Sequence, residues 1–216
     1  MNTILVIGAT GQVGQKVCQK LAYRGYQVRA LVRDLDKATE IQHSNVELFQ
    51  ANLEDDFSDA FDGVQKVVFV AGSGADTGFD KTVMIDLWAA RRAVDYAEEE
   101  PSVEHFVLLS SYGAHDPEDM DGKIKPYIIA KHLADEYLMD STVPHTILRP
   151  GPLTDEPAQN GFSNERPDSL AFEDMQISRA DVAEALYFCV EQDCSKVKVI
   201  ELFSGHASPY EAICLQ

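Results

Sequence analysis

The residues best suited to do chemistry lie in the middle of the chain. Ser110 and Ser111 end an apolar run, and Tyr127 and Lys131 stand four residues apart in a segment with helical period. Residues four apart share one helix face, so the phenol and the ammonium should be neighbours. An ammonium favours the phenolate and would move the phenol pKa from about 10 toward neutrality. The pattern predicts acid–base catalysis by Tyr127, with Ser110 or Ser111 polarising a carbonyl oxygen.

The same side chains also admit a structural interpretation. Tyr127 could pack without entering a reaction, and Lys131 could be solvated or could hold a cofactor. Because the spacing of the pair is common, its position after a central strand has to carry the catalytic interpretation.

A glycine-rich turn stands near the start of the chain. It follows the apolar run Thr3–Ile7 and opens a helical pattern, an order that lets free N–H groups and a helix N-terminus face an anion. Gly8 would permit the turn, Gly11 the close approach, and Gly14 the packing of helix on strand. We predict that this segment binds a dinucleotide pyrophosphate; a merely tight turn is the alternative. Its residues are Gly8, Ala9, Thr10, Gly11, Gln12, Val13 and Gly14.

The elements that would position these residues alternate between strands and helices. Apolar β-branched runs recur along the chain, mostly separated by segments of helical period. The runs are Thr3–Ile7, Val28–Val32, Val46–Phe49, Val67–Val70, Phe106–Leu109, Thr146–Leu148 and Val197–Phe203. They predict an α/β fold: one domain, residues 1–216, with a doubly wound Rossmann-type parallel sheet of about seven strands and helices on both faces.

Three further segments complete this outline. A stripe with helical spacing is expected to cover the sheet; it consists of Val83, Leu87, Ala90, Val94 and Ala97. A second helix is expected over Tyr127–Met139. Residues 150–176 are broken by prolines and glycine and should form an irregular loop, either a lid over a substrate or a passive surface excursion.

Residues that follow the strands should line a ligand site, because doubly wound sheets bind ligands at the carboxyl ends of their strands. Arg33 stands where a carboxylate would otherwise bind the adenosine ribose, and its guanidinium suits a 2′-phosphate. NADP(H) is therefore predicted over NAD(H), although Asp34 could take the acidic role for NAD(H). Topology alone places two residues after the third run and three after the fourth against the cofactor: Asn52 and Leu53, and Ala71, Gly72 and Ser73.

Composition excludes several classes of function. A net charge of −18 opposes binding to nucleic acid or to anionic membranes. The chain shows no apolar segment of membrane-spanning length and no Cys/His pattern for a metal, and its four cysteines suggest no disulfide framework. We therefore expect a cytoplasmic protein without a metal that acts on a small molecule; the oligomeric state stays open.

Taken together, the motifs resemble one enzyme superfamily over nearly the whole chain. They are Gly8-Ala9-Thr10-Gly11-x-x-Gly14, Ser110-Ser111, Tyr127-x-x-x-Lys131 and Leu148-Arg149-Pro150-Gly151. This set is similar to the short-chain dehydrogenase/reductase superfamily, in its atypical, NmrA-like and flavin-reductase-like branch. The resemblance implies NADP(H) along the glycine turn, with Tyr127, Lys131, Pro150, Gly151 and Leu153 near the nicotinamide. Asp86 stands near where many relatives have an asparagine that helps a proton relay.

The resemblance implies an NADP(H)-dependent oxidoreductase that transfers hydride to or from a small carbonyl or quinone-like substrate. An alternative is a regulator that binds NADP(H) without turnover and acts through protein partners. Sugar-nucleotide epimerases and dehydratases of the superfamily carry a sizeable C-terminal domain, so the length of this chain disfavours that activity.

Overall fold

Apolar β-branched runs form the strands of a central sheet in this computed structural model. The structure describes residues 2–74, 77–165 and 175–215. The strands are β1 (Thr3–Ile7), β2 (Gln27–Val32), β3 (Val46–Gln50), β4 (Lys66–Phe69), β5 (His105–Leu109), β6 (His145–Pro150), β7 (Leu153–Thr154), β8 (Phe162–Ser163), β9 (Ile177–Ser178) and β10 (Lys198–Ser204). The helices are α1 (Gln12–Tyr23), α2 (Phe79–Lys81), α3 (Ala90–Glu99), α4 (Lys125–Met139), α5 (Arg179–Glu191) and α6 (Pro209–Cys214).

The sheet has the order β3-β2-β1-β4-β5-β6-β10-β8, and every neighbouring pair from β3 to β10 is parallel. The strand order reverses between β1 and β4, which places the ligand-binding crevice of a doubly wound sheet there. The predicted α/β class is confirmed. Over the described residues the sheet has eight strands rather than about seven, because the two-residue strand β8 pairs antiparallel with β10 and is too short to stand out in sequence.

Side chains alternate between two cores, one on each face of the sheet. In β1, Ile4 and Val6 join a core with α1 and α5, whereas Leu5 and Ile7 join a core with α3 and α4. Both faces are covered, which explains why the strands are continuous apolar runs rather than alternating ones. None of the helices in the described part of the chain combines the length and the apolar character that a membrane span requires.

The predicted apolar stripe is wrong at its start. Between α2 and α3, residues Thr82–Ala89 form a π-helical segment, which has a wider turn than an α-helix and shifts the buried positions. Val83, expected to cover the sheet, is 52% exposed, whereas Thr82 and Asp86 are buried. The stripe continues as predicted through Ala90, Val94 and Ala97.

The predicted irregular loop contains regular structure. Pro150 is the last residue of β6, β7 pairs with β9, and β8 extends the main sheet. Asp181 anchors this region, since its carboxylate accepts the main-chain N–H groups of Gln159 at 3.0 Å and Asn160 at 2.9 Å. The prediction failed here because such short strands are selected by their tertiary partners. Residues 166–174, including Pro167, lie outside the described residues.

The cysteine prediction is also corrected. Cys194 and Cys214 form a disulfide that ties the end of α6 to the turn after α5, with their Cα atoms 5.4 Å apart. Twenty residues separate them in sequence, and only the return of β10 brings them together. Cys18 and Cys189 are buried as small core residues.

A buried histidine lies on β5. His105 is fully buried, and its Nε2 atom lies 2.8 Å from the Thr146 hydroxyl. Burial, aided by the charges of Lys66 and Lys196, lowers the pKa of His105 to about 3. The folded protein therefore holds this imidazole neutral at pH values where an unfolded chain would protonate it.

We expect acid sensitivity from this residue. An unfolded imidazole titrates near about 6.5, so as the pH falls the unfolded state binds the proton first. The free energy of unfolding should fall by about 2 kcal/mol between pH 7 and pH 5, and the loss should continue toward the folded pKa. Urea denaturation at both pH values measures it. His105→Gln should remove this part of the pH dependence, whereas exposed His206→Gln should not; equal curves for wild type and His105→Gln would contradict the assignment.

Candidate active site

The glycine turn between β1 and α1 forms a bare, close-approach surface. Gly8 has φ +92°, and a Cβ atom there would lie 2.6 Å from the main chain of Ala71. A Cβ on Gly14 would overlap the carbonyl oxygen of Gly8, so Gly14 lets α1 pack directly on the turn. The N-cap of α1 is Gly11, which has no side chain with which to cap the first N–H groups. These amides and the positive helix end are suited to an anion.

Two connected cavities form a groove across the carboxyl ends of the strands. The first, the adenosine-end cavity, has a volume of about 380 Å³; its lining includes Gly8, Thr10, Gly11, Arg33, Asn52 and Leu53. The second, the active-site cavity, has a volume of about 650 Å³; its lining includes Gln12, Val13, Ser110, Ser111, Tyr127, Lys131, Pro150, Gly151 and Leu153. Ala71, Gly72 and Ser73 line both cavities and join them. One elongated ligand could therefore reach from Arg33 to Tyr127.

The adenosine-end cavity distinguishes Arg33 from Asp34. Arg33 is exposed and lines the cavity directly after β2. Asp34 instead caps the 3₁₀ helix Leu35–Ile41, where its carboxylate accepts the N–H of Asp36 at 3.1 Å. Arginine, rather than the neighbouring carboxylate, therefore faces the cavity.

Lys131 is buried at the base of the active-site cavity. Its Nζ atom donates to the carbonyl oxygen of Leu109 at 3.2 Å and lies 3.3 Å from Asp86 Oδ1. The same ammonium lies 5.7 Å from the ring centre of Tyr127, so helix α4 brings the two side chains together as its spacing predicts. The phenol of Tyr127 is half-buried in the wall of the cavity.

Asp86 is the charge partner of Lys131, a pairing that was not predicted from the sequence. The π-helical segment turns its carboxylate inward, where it is 1% exposed and faces Lys131. Its second oxygen accepts the main-chain N–H of Ser73 at 3.0 Å. Asp86 thus connects the segment after β4, which lines both cavities, with the helix that carries Tyr127. The π-helical turn that directs Asp86 inward has no recognisable pattern in the sequence, so the pairing with Lys131 could not be predicted.

The predicted lowering of the Tyr127 pKa is wrong, because the pKa is raised. Burial of the phenol is the main cause, and the negative charges of Asp86 and Asp135 add to it. Lys131 and a hydrogen bond with Ser111 oppose the rise without overcoming it. Burial also disfavours the charge of Lys131, but Tyr127, Asp86 and Asp135 together raise the pKa of this ammonium. At neutral pH the site therefore holds a protonated phenol beside a charged lysine.

The two serines differ in their surroundings. Ser110 is buried, and Asp135 lies near it, where burial raises the pKa of that carboxyl despite an ion pair with Arg149 at 2.8 Å. Ser111 is only half-buried and lies on the Tyr127 side. Ser111 is the better placed of the two to contact a ligand in the cavity.

The structure brings nearly all of the predicted site residues to one groove. Ala9 and Gly14 are the exceptions, since they pack beneath the turn rather than line a cavity. Several lining residues were not anticipated, because they come from loops and helix starts without a distinctive pattern. They include Glu54, Thr77, Phe79, Lys81, Ile85, Lys123, Ile124 and Arg179.

The sheet order, the bare glycine turn and the groove define the class of this protein. It is a Rossmann-type nucleotide-binding protein of the atypical short-chain dehydrogenase/reductase superfamily. A family model described as NAD(P)H-binding matches residues 8–193, and the chain belongs to that family.

Relatives match along the full length of the chain. The uncharacterized sugar epimerase YhfK of Bacillus subtilis is 32% identical over 214 residues, covering 97% of this chain and 98% of its own. A protein named as an NAD-dependent epimerase/dehydratase from Bacillus halodurans is 33% identical, covers 100% of both chains and has a TM-score of 0.92. The oxidoreductase ylbE from Lactococcus lactis is 29% identical, with coverages of 98% and 94% and a TM-score of 0.85.

Proposed function

We propose that the protein is an NADP(H)-dependent oxidoreductase that transfers hydride between the nicotinamide and a small carbonyl or quinone-like substrate. The observation that carries this proposal is the single groove that joins the bare glycine turn to Tyr127 and Lys131. The residues fit a dinucleotide, because Gly8 and Gly11 line the cavity beside the start of α1, where no side chain caps the helix and main-chain N–H groups can meet a pyrophosphate. Family membership supports the cofactor class.

Each side chain has a distinct part in the proposed reduction. When bound in this groove, a nicotinamide cofactor would supply the hydride for the carbonyl carbon. Tyr127 donates its phenolic proton to the carbonyl oxygen, which its raised pKa favours because the phenol is protonated at neutral pH. Lys131 would hold the cofactor ribose and would stabilise the phenolate that remains, until solvent returns the proton. Ser111 donates a hydrogen bond that orients the substrate oxygen.

The preference for NADP(H) rests on Arg33. We expect Arg33→Gln to weaken NADPH binding by about 10- to 100-fold, because a charge-assisted bond to phosphate is worth about 1.5–3 kcal/mol. The affinity for NADH, which lacks the 2′-phosphate, should change little. Calorimetric titration of both nucleotides measures the difference. Lys37→Gln removes one exposed charge nearby and is the matched control; equal losses for both nucleotides, or from both variants, would refute the role of Arg33.

A direct assay separates this function from its alternatives. The purified protein should bind NADPH and oxidise it in the presence of members of a panel of carbonyls and quinones. Tight binding without oxidation of NADPH by any acceptor, together with a protein partner whose capture depends on the nucleotide, would favour a regulator. Failure to bind either nucleotide would overturn both.

The names of two relatives favour a second candidate, an NAD(P)-dependent epimerase or dehydratase. Such an enzyme returns the hydride to its own substrate, so the nucleotide shows no net change. Incubation of the protein with nucleotide sugars, analysed for isomerised or dehydrated product, would reveal it.

A further inference from the structure

The wall of the active-site cavity has a charge opposite to that of the chain as a whole. Acidic residues outnumber basic ones by 36 to 18 in the sequence. Among the described residues that line this cavity, the basic ones are Lys123, Lys131 and Arg179, and Asp86 is the acidic one. Because Asp86 and Lys131 pair with each other, Lys123 and Arg179 remain as an excess of positive charge.

These two cations come from separate elements that meet at the cavity. Lys123 is exposed in the short 3₁₀ turn Gly122–Ile124, just before the helix that carries Tyr127. Arg179 is the first residue of α5, and its Nη1 atom lies 3.3 Å from the Leu153 carbonyl oxygen and 3.0 Å from Asp155 Oδ1. The carbonyl contact fixes the guanidinium at the cavity wall.

The ion pair between Arg179 and Asp155 is weak enough to leave the guanidinium available to a ligand. The Asp155 side chain is 70% exposed, so this is a surface pair that water screens and that contributes little. A ligand anion held in the less exposed cavity could therefore replace Asp155 as the partner of Arg179.

Lys123 and Arg179 are not required to bind the phosphates of the cofactor. The glycine turn and Arg33, which line the adenosine-end cavity, are the groups placed for the cofactor's phosphates, whereas Lys123 and Arg179 line only the active-site cavity. The nicotinamide itself offers no anion for them. Apolar side chains line the same cavity, including Phe79, Ile124 and Leu153. The combination suits a ligand with an apolar ring and a negative charge.

We propose that the substrate of this site is an apolar, ring-containing carbonyl or quinone compound that carries a carboxylate or a similar anionic group, bound by Lys123 and Arg179. The substrate role rests on the proposed function. Binding of the anion by the two cations can be tested without turnover.

The test compares two unreactive ligands that share one ring, 2-naphthoate and 2-naphthylmethanol. Calorimetry measures their affinity for the protein alone and for the protein saturated with NADPH, whose uncharged ring adds no attraction for an anion. The wild type should bind the carboxylate about tenfold more tightly than the alcohol, as one or two partly exposed charge-assisted bonds would give. Lys123→Gln and Arg179→Gln should each reduce that ratio at least about threefold.

Two further variants sharpen the result. Asp155→Asn removes the competing carboxylate and should raise the ratio. Lys196→Gln removes one positive charge at the opposite edge of the sheet, before β10, and should leave the ratio unchanged. Melting curves show whether Arg179→Gln remains folded; Lys123→Gln, at an exposed turn, provides the test if it does not.

The possible outcomes are distinct. A wild-type ratio near one, no binding of either ligand, or a ratio unaffected by Lys123→Gln and Asp155→Asn would overturn the inference. If NADPH fails to bind while the carboxylate preference and its loss in the variants are seen, the proposed function fails and the anion site stands. If NADPH binds and carbonyls are reduced without any carboxylate preference, only this inference fails.

Discussion

Tyr127→Phe should lower kcat/KM for NADPH-dependent reduction by about 10²–10⁴-fold, the usual contribution of a positioned general acid. The substitution removes only the hydroxyl of a half-buried ring that lines the active-site cavity. NADPH affinity should stay close to that of wild type, because the glycine turn, Arg33 and Lys131 remain in place. Steady-state rates on any active acceptor, combined with NADPH titration, separate the two effects.

The control for this variant is Tyr210→Phe, which removes a phenol from the exposed side of α6. It should keep full activity. The pH profile adds an independent check: with the pKa of Tyr127 raised, reduction should persist through neutral and mildly alkaline pH and fail only above the ordinary phenol value of about 10. An unchanged rate for Tyr127→Phe would show that another group delivers the proton.

The main strands of the fold could be predicted from the sequence alone, because the patterns that indicate them are local and recur along the chain. The β1 strand was predicted with its observed bounds, and the other main strands to within about two residues at each end, because buried parallel strands must be continuous apolar runs. The role of Gly8 in the turn could also be predicted, because a tight turn between a strand and a helix, here with φ +92°, strongly favours glycine. The tyrosine–lysine pair followed from helix geometry in the same way.

The features that could not be predicted from the sequence depend on tertiary contacts. The wider π-helical turn of Thr82–Ala89 exposes Val83 and buries Asp86. Local sequence propensities do not predict a π-helical turn. Burial of the phenol reversed the expected direction of the Tyr127 pKa, and the negative charge of Asp86 adds to that effect against the ammonium on which the expectation relied. The pairing of Cys194 with Cys214 likewise depends on the path of β10.

Lys131→Met tests whether the buried pair with Asp86 supports the fold as well as the site. Methionine fills a similar volume without charge, which leaves a carboxylate that is 1% exposed without its ammonium. We expect the free energy of unfolding to fall by about 3–5 kcal/mol, as when one member of a buried ion pair is removed. Reductase activity should be lost as well, and NADPH should bind more weakly. Urea denaturation and nucleotide titration measure these effects.

The double variant Asp86→Asn with Lys131→Met separates stability from function. It removes both charges, while the asparagine oxygen can still accept the N–H of Ser73 that Asp86 accepts at 3.0 Å. Most of the lost stability should return but none of the activity, because no ammonium remains to hold the ribose or the phenolate. Lys196→Met breaks a surface pair with Asp193 and should cost less than about 1 kcal/mol. If the double variant is no more stable than Lys131→Met, the loss comes from packing around the methionine rather than from an orphaned carboxylate.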